Sequence, residues 1–356
     1  MSLIRLPGLI DPHVHLRDPG HTYKEDWNSG TASALAGGYT CVLAMPNTSP
    51  PVTDSSSLEA ILTAARGKVN CDYGVHIAGT SNNASVIPSL SKQVSGLKLY
   101  LNDTFGDLRI DGLEIINAHM SSWPNSRPLL CHAEQYMAAA VLMLAMLHRR
   151  SIHICHVSRK EEIDLIRAAR ERGLAVTCEV TPHHLFMTDA DIDPNSKERY
   201  AVSPGLNTTS DQNALWEAIA DGVVDCIATD HAPHTLQEKD SKNSPPGFPG
   251  LETGLALMLG AVREGRLSMN RLIELMHTNP ARIFGLVPQP ETWIEVDINE
   301  RWEVNASQLY SRCCWSPFEG RQLQGRLKKV VLRNKTVYDN EEVLQHVRYG
   351  VNVNRS

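Results

Sequence analysis

The chain has 356 residues, 42% hydrophobic and 21% charged, enough apolar side chain for one large barrel or two ordinary domains. A formal net charge of −6, with its basic residues dispersed, gives no electrostatic basis for binding nucleic acid or an anionic membrane. The best apolar run, residues 138–147 between Glu134 and Arg149, is far shorter than the roughly 20 residues a bilayer span needs. The eight cysteines follow no disulfide-framework spacing, and reduced thiols in a cytoplasmic protein are expected.

Short β-rich runs alternate with helical stretches along most of the chain. Strands are expected at 8–13, 39–45, 72–78, 96–101, 128–132, 152–156, 174–180 and 225–230. Helices are expected between them at 25–36, 54–66, 82–92, 111–121, 135–149, 160–172 and 210–220. Gly37-Gly38 and Gly173 supply the left-handed stops that close two of these helices. Eight strands in strict alternation with helices predict an α/β fold, a (β/α)8 TIM barrel over residues 8–287. The apolar stretch 137–147 is expected to be a helix stripe facing that barrel. Helices at 251–264 and 269–277 follow the eighth strand, and a loop rich in Pro, Gly and Ser occupies 241–250. After Pro288 only short β-like runs remain, at 293–297, 327–333 and 336–338. Residues 288–356 with 1–7 are expected to form a small β-rich appendage.

Polar residues able to hold metal fall where the strands end, the face on which barrel active sites are built. They are His13 and His15, Lys98, His132, His156, Glu179 and Asp230. In His13-Val14-His15 the two imidazoles, two residues apart on an extended chain, share a face and can reach one ion. An isolated His-x-His is more often a pair of ordinary histidines, so its setting decides. Lys98 lies within the apolar run Leu97-Lys98-Leu99, where burial favours a neutral amine able to capture carbon dioxide as a carbamate. A lysine with its head reaching water is the commoner case when such a residue stands alone. No Gly-x-Gly-x-x-Gly after a strand and no P-loop is present.

The run Gly8-Leu9-Ile10-Asp11-Pro12-His13-Val14-His15 resembles the opening of the amidohydrolase superfamily. Arg17 in His15-Leu16-Arg17-Asp18-Pro19-Gly20, Met45-Pro46-Asn47-Thr48 and Thr229-Asp230-His231-Ala232-Pro233-His234 resemble dihydroorotases. Nearly the whole chain resembles the dihydroorotase domain of the animal-type multienzyme of pyrimidine synthesis, including Cys178-Glu179-Val180 and Trp315-Ser316-Pro317-Phe318. The resemblance implies zinc at His13, His15, carboxylated Lys98 and Asp230, and a second zinc at Lys98, His132 and His156. It also implies a possible third zinc at Cys155, Glu179 and His13. Asp230 is implied as general base and then acid in the reversible hydrolysis of dihydroorotate to N-carbamoyl-L-aspartate. Arg17, Asn47 and His234 are implied as binders of the substrate carboxylate. Pro246 and Gly247 would add backbone contacts, with Thr104 and Phe105 on a lid over the site. A homodimer is implied, as is fusion to carbamoyl-phosphate synthetase and aspartate transcarbamoylase domains; a chain that opens at a barrel strand fits such a fusion.

At one position the chain departs from this pattern. Ser203 stands where the animal-type family carries an arginine that binds substrate, with Arg199 the nearby candidate to replace it. Two other readings therefore stand beside dihydroorotase. One is a catalytically inactive scaffold domain of the kind some fungal multienzymes keep. The other is an allantoinase or hydantoinase acting on another cyclic amide.

Overall fold

The computed structural model describes residues 3–103, 107–344 and 348–354. Strand β1 (Leu3–Pro7) leads into β2 (Leu9–Val14), which pairs in parallel with β3 (Tyr39–Ala44), and that in turn with β4 (Asp72–Val75). Past His76, β5 (Ile77–Ala78) continues the same barrel strand and pairs with β6 (Leu97–Tyr100). The parallel series runs on through β7 (Leu129–His132), β8 (Ile152–Ile154), β9 (Val176–Val180) and β10 (Cys226–Ile227). A parallel bridge between Val14 and His231 returns the last strand to the first. With β4 and β5 counted as one, eight strands close a (β/α)8 barrel.

Closure has a polar stitch. Asp11 is fully buried and accepts hydrogen bonds from His13 N at 3.1 Å, Thr229 Oγ1 at 2.5 Å and Thr229 N at 3.2 Å. Burial pushes its carboxyl up to about 8 in spite of these donors. The first and eighth strands are thereby fixed in relative height, which sets the level of the residues that follow them.

Helix starts follow local chemistry. Asp26, Asp54 and Thr208 each accept a backbone hydrogen bond from the third helical residue, in reciprocal capping boxes. Gly38, at φ 83°, takes the left-handed turn after the helix Trp27–Ala36. The helix expected at 82–92 is reduced to one 3₁₀ turn, Ile87–Leu90. Pro88 lies inside it, and the Asn83 side chain holds Thr80 N, Thr53 O and Ala78 O, so local hydrogen bonding competes with a helical ladder. The helix expected at 269–277 is Met269–Ile273, a π turn Glu274–Thr278 and a further helix Asn279–Phe284. Pro280 has no N–H for the carbonyl four residues back, and the wider turn accommodates it.

The helix Tyr136–Leu147 faces the barrel as expected, on one side only. It buries Ala138, Val141, Leu142 and Ala145 against the barrel. Its other side leaves Tyr136, Met143 and Leu147 73%, 58% and 72% exposed. The apolar stretch is therefore two faces, only one of them covered by this chain.

The tail builds strands longer than expected: β11 (Trp293–Glu303), β12 (Gln322–Leu332), β13 (Lys335–Asp339) and β14 (Glu342–Val343). With β1 they form an antiparallel sheet in the order β1-β11-β12-β13-β14. Register shifts at Glu295/Val296 and Asp297/Arg301 interrupt the two-residue alternation, which is why the sequence pattern showed only fragments.

Between β11 and β12 the segment 310–315 is fastened to the barrel. Glu252 accepts from Tyr310 N, Ser311 N and Ser33 Oγ, and Glu25 accepts from Ser311 Oγ and Arg312 N. Burial raises Glu252 to about 7 from 4.5, outweighing its three donors. The folded chain then holds this proton where the unfolded chain has released it. The contribution of Glu252 to stability is therefore full below pH 4.5 and is lost as pH rises through 7. Glu252→Gln is expected to remove up to about 1.4 kcal/mol per pH unit from the slope of stability across that window. Unfolding midpoints of both proteins from pH 4.5 to 8 check this; parallel curves would assign the proton elsewhere.

Candidate metal and substrate site

The ends of the barrel strands converge on one pocket. Its wall is made by His13, His15, Arg17, Asn47, Lys98, Tyr100, His132, His156, Ser203, Asp230, Ala232, Pro246 and Gly247. His13 and His15 ring centres are 5.4 Å apart, His13 and His156 5.2 Å, and His132 and His156 4.4 Å. Arg17, His156 and Asp230 hold positive φ values of 59°, 32° and 48°. Such backbone costs on the order of 1–3 kcal/mol per residue, and three instances in one pocket mark where the fold is constrained by function.

The hydrogen bonds fix what each imidazole can offer. His15 Nδ1 lies 2.6 Å from Asn47 Oδ1, so Nδ1 carries the hydrogen. His15 Nε2 then turns its lone pair to Asp230 Oδ1 at 3.1 Å. His13 Nδ1 is bonded to Glu179 Oε1, and its Nε2 is 3.3 Å from the same Asp230 oxygen. Two imidazole nitrogens and a carboxylate oxygen thus crowd one point with lone pairs, an arrangement a cation would satisfy. Burial lowers His15 to about 4, lowers His132, and takes His156 well below its ordinary value, so these three are neutral, the form that binds metal. His156 Nδ1 is buried without a hydrogen-bond partner. Burial raises Asp230, and His13 beside it outweighs burial and holds the carboxyl below the usual range.

Among the described residues, two groups of donors lie close enough to hold an ion: His13, His156 and Asp230, and His13, Cys155 and Glu179. They share His13. Lys98 is fully buried with Nζ 3.0 Å from Cys155 Sγ, and it lines the same pocket as His13, His156 and Asp230. Burial opposes ionisation of Glu179, but His13 and His153 hold it well below the usual carboxylate range. His153, whose Nε2 is 3.0 Å from Glu179 Oε2 and Nδ1 2.8 Å from Thr177 Oγ1, gave no sign of this role in the sequence. His184 is bonded to Thr181 Oγ1 and Pro204 O, while His183 packs on Phe248.

The substrate-binding candidates divide. Arg17 and Asn47 are on the pocket wall with Pro246 and Gly247. His234 lies behind Arg17, with Nε2 3.0 Å from Arg17 Nη2 and 3.1 Å from Pro246 O. Trp315 of the tail supports it, donating from Nε1 to His234 O at 2.7 Å. Thr104 and Phe105 lie outside the described residues. Ser203 does line the pocket, with Oγ donating to Asp103 O at 3.2 Å. Arg199 is not on the pocket wall; its guanidinium is paired bidentately with Asp240. Tyr100, absent from the sequence candidates, adds a buried hydroxyl without a hydrogen-bond partner.

A parallel barrel with this donor set at its strand ends belongs with the amidohydrolases, whose family profile matches residues 4–107. The fold is shared with the L-hydantoinase of Arthrobacter aurescens, at TM-score 0.89 and 25% identity over 96% of this chain and 86% of that one. The inactive dihydroorotase-like domain of the Chaetomium thermophilum CAD-like multifunctional protein aligns at TM-score 0.83 and 27% identity over 99% of both chains. In sequence, the chain is 48% identical over 352 residues to multifunctional protein CAD of Squalus acanthias, covering 99% of this chain and 16% of that protein. It is 35% identical over 353 residues to the dihydroorotase of Pyrococcus furiosus, covering 95% of this chain and 82% of that enzyme. The chain belongs to the dihydroorotase family. It spans only 16% of the multifunctional relatives it matches.

Proposed function

We propose that the chain is a dihydroorotase, hydrolysing the cyclic amide of L-dihydroorotate reversibly to N-carbamoyl-L-aspartate in pyrimidine biosynthesis. The observation that carries this reading is the meeting of His13 and His15 lone pairs on Asp230 in a pocket that also holds Arg17 and Asn47. His13, His15, Lys98 as a carbamate and Asp230 would hold one zinc, and Lys98, His132 and His156 the second. Zinc, when bound, supplies activation of water and polarisation of the ring carbonyl. Asp230, ionised beside the imidazoles, accepts the proton of the attacking water and delivers it to the departing ring nitrogen. The Arg17 guanidinium takes the substrate carboxylate, with Asn47 alongside. Backbone groups of Pro246 and Gly247, on the pocket wall, contact the substrate ring.

A third zinc at Cys155, Glu179 and His13 competes with this arrangement. His13 belongs to both donor groups, so a third zinc there would require its imidazole to lose the second ring proton and bridge two ions. We therefore favour two zincs, with Glu179 accepting from His13 Nδ1–H to aim the ring.

Turnover of dihydroorotate and of carbamoyl aspartate, with zinc per chain measured on the same sample, tests the proposal. Turnover with two zincs supports it; hydrolysis of hydantoin or allantoin instead would replace the substrate. Full zinc without turnover would favour the inactive scaffold, a reading that Ser203 on the pocket wall keeps in play. On the dihydroorotase reading, Ser203→Arg is expected to lower KM about tenfold by adding a charge-assisted bond to the carboxylate. An unchanged or higher KM would show that the pocket has no room for it.

The uncovered face of Tyr136–Leu147 supports a homodimer in which the partner is a second copy of this chain. Three large apolar side chains spaced along one helix side, at 58–73% exposure, fit an interface better than water. Leu147→Asp is expected to convert the dimer to a monomer in sedimentation experiments, with the fold retained. A wild-type monomer would refute it. Fusion to synthetase and transcarbamoylase domains remains part of the proposal, since the multifunctional relatives are far longer than this chain. So does the division into a barrel, 8–287, and an appendage. Among the described residues no helix is long and apolar enough to cross a membrane.

A further inference from the structure

Lys24 came out of the sequence with no assigned role, yet it is buried to 2% exposure directly behind the substrate pocket. Its Nζ is 2.9 Å from His234 Nδ1 and 2.9 Å from Glu238 Oε1. Glu238 is itself anchored: it accepts from Tyr23 Oη at 2.9 Å and from Thr235 N at 3.0 Å. An ammonium group has hydrogens and no lone pair, so it can meet Nδ1 of a neutral imidazole only as a donor. Arg17 Nη2, 3.0 Å from Nε2, makes the same demand on the other nitrogen, and Pro246 O, an acceptor 3.1 Å from Nε2, decides between them by placing the hydrogen there.

That assignment changes the meaning of the contact with Arg17. Arg17 Nη2 is 3.0 Å from His234 Nε2, and a guanidinium also has hydrogens only. With Nε2 protonated the two groups are not a donor and an acceptor satisfying each other. They are two N–H groups side by side, Arg17 on the pocket wall with Pro246 and Gly247 and His234 buried behind it. An anion oxygen placed there meets the Arg17 N–H directly and shares the Nε2–H that Pro246 O accepts in its absence. In the opposite tautomer the Nε2 lone pair would take up an Arg17 N–H and repel the anion.

We propose that Lys24 is a positioning residue that locks His234 in its Nε2–H tautomer, so that Arg17 and His234 present a two-donor clamp for the substrate carboxylate. Burial, followed by Arg17 and Lys24, keeps the His234 ring neutral, consistent with an imidazole that must accept at one nitrogen. The side chain of Lys24 need not touch substrate; it acts through the ring. Only the last step, the identity of the anion, rests on the dihydroorotase reading.

The test uses the zinc-loaded protein labelled with 15N at histidine, the His234 signals being identified by their absence in His234→Asn. Protonated and unprotonated ring nitrogens differ widely in 15N shift, so the tautomer is read directly and without substrate. The wild type is expected to show Nε2–H, and Lys24→Met a shift of population toward Nδ1–H. In the same variant KM for dihydroorotate is expected to rise about tenfold or more while kcat changes much less, since only carboxylate binding is weakened. Lys24→Arg, which retains a cationic donor, is expected to restore both. A wild-type Nδ1–H tautomer, or an unchanged tautomer in Lys24→Met, would overturn the proposal. So would a fall in kcat with KM unmoved. If Lys24→Met does not fold, the wild-type tautomer and Lys24→Gln decide. A tautomer that switches as expected in a protein inert toward dihydroorotate would uphold the role of Lys24 and defeat the assigned substrate instead.

Discussion

Asp230→Asn is expected to lower kcat for dihydroorotate by about 10²–10⁴-fold, the range lost with a general acid–base group. The substitution keeps size and shape, so the pocket survives it, and the change falls on charge and proton transfer. In the native site burial works against ionisation, yet His13 beside Asp230 holds it as a carboxylate. An amide at that position cannot accept a proton from water. It also leaves the His13 and His15 nitrogens, 3.3 and 3.1 Å away, without a negative partner for any shared cation. Metal content should therefore be measured beside kcat. Inactive protein with its zinc retained isolates the proton-transfer role; inactive protein without zinc assigns Asp230 to holding the metal. Activity within about threefold of wild type would remove Asp230 from the mechanism altogether.

The residues that made the site legible in the sequence share one property: they follow directly on strands. His13, His132, Glu179 and Asp230 lie in or just past runs of buried apolar residues, and a barrel brings all such positions to one rim. Strand count and order were readable for the same reason, since a short apolar run between helices has few other uses. Lys24, Glu25 and His153 were not readable, because each acts through a partner distant in sequence. His153 meets Glu179 and Lys24 meets His234, pairs that exist only once the barrel closes. His153 even sits within β8, where an alternating pattern marks it as one more buried residue.

Helical expectations failed where side chains competed with the backbone. The period at 82–92 suggested a helix, but Asn83 spends its carboxamide on three backbone groups and Pro88 removes a donor. Residues 136–147 show the converse problem. A helix apolar on every side says nothing of which side meets the barrel, and only packing revealed the face left over. The tail strands were fragmentary in sequence because bulges shift their register partway along.

Lys98→Met is expected to abolish turnover, by about 10³-fold or more, and to cut bound zinc sharply, the second large effect. Methionine matches the length and apolar stem of lysine, and the position is fully buried, so the barrel has every reason to fold around it. What disappears is a buried amine on the wall of the pocket, 3.0 Å from Cys155 Sγ. If that nitrogen carries a carbamate, two oxygens are lost together and neither ion keeps a full set of ligands. Wild-type protein prepared without carbon dioxide should then bind less zinc and recover it on adding bicarbonate, whereas Lys98→Met should not respond. If Lys98 serves as a plain amine, bicarbonate has no effect on the wild type either. Retained zinc and turnover in Lys98→Met would show that His13, His15, His132, His156 and Asp230 suffice, and the bridging role would have to be withdrawn.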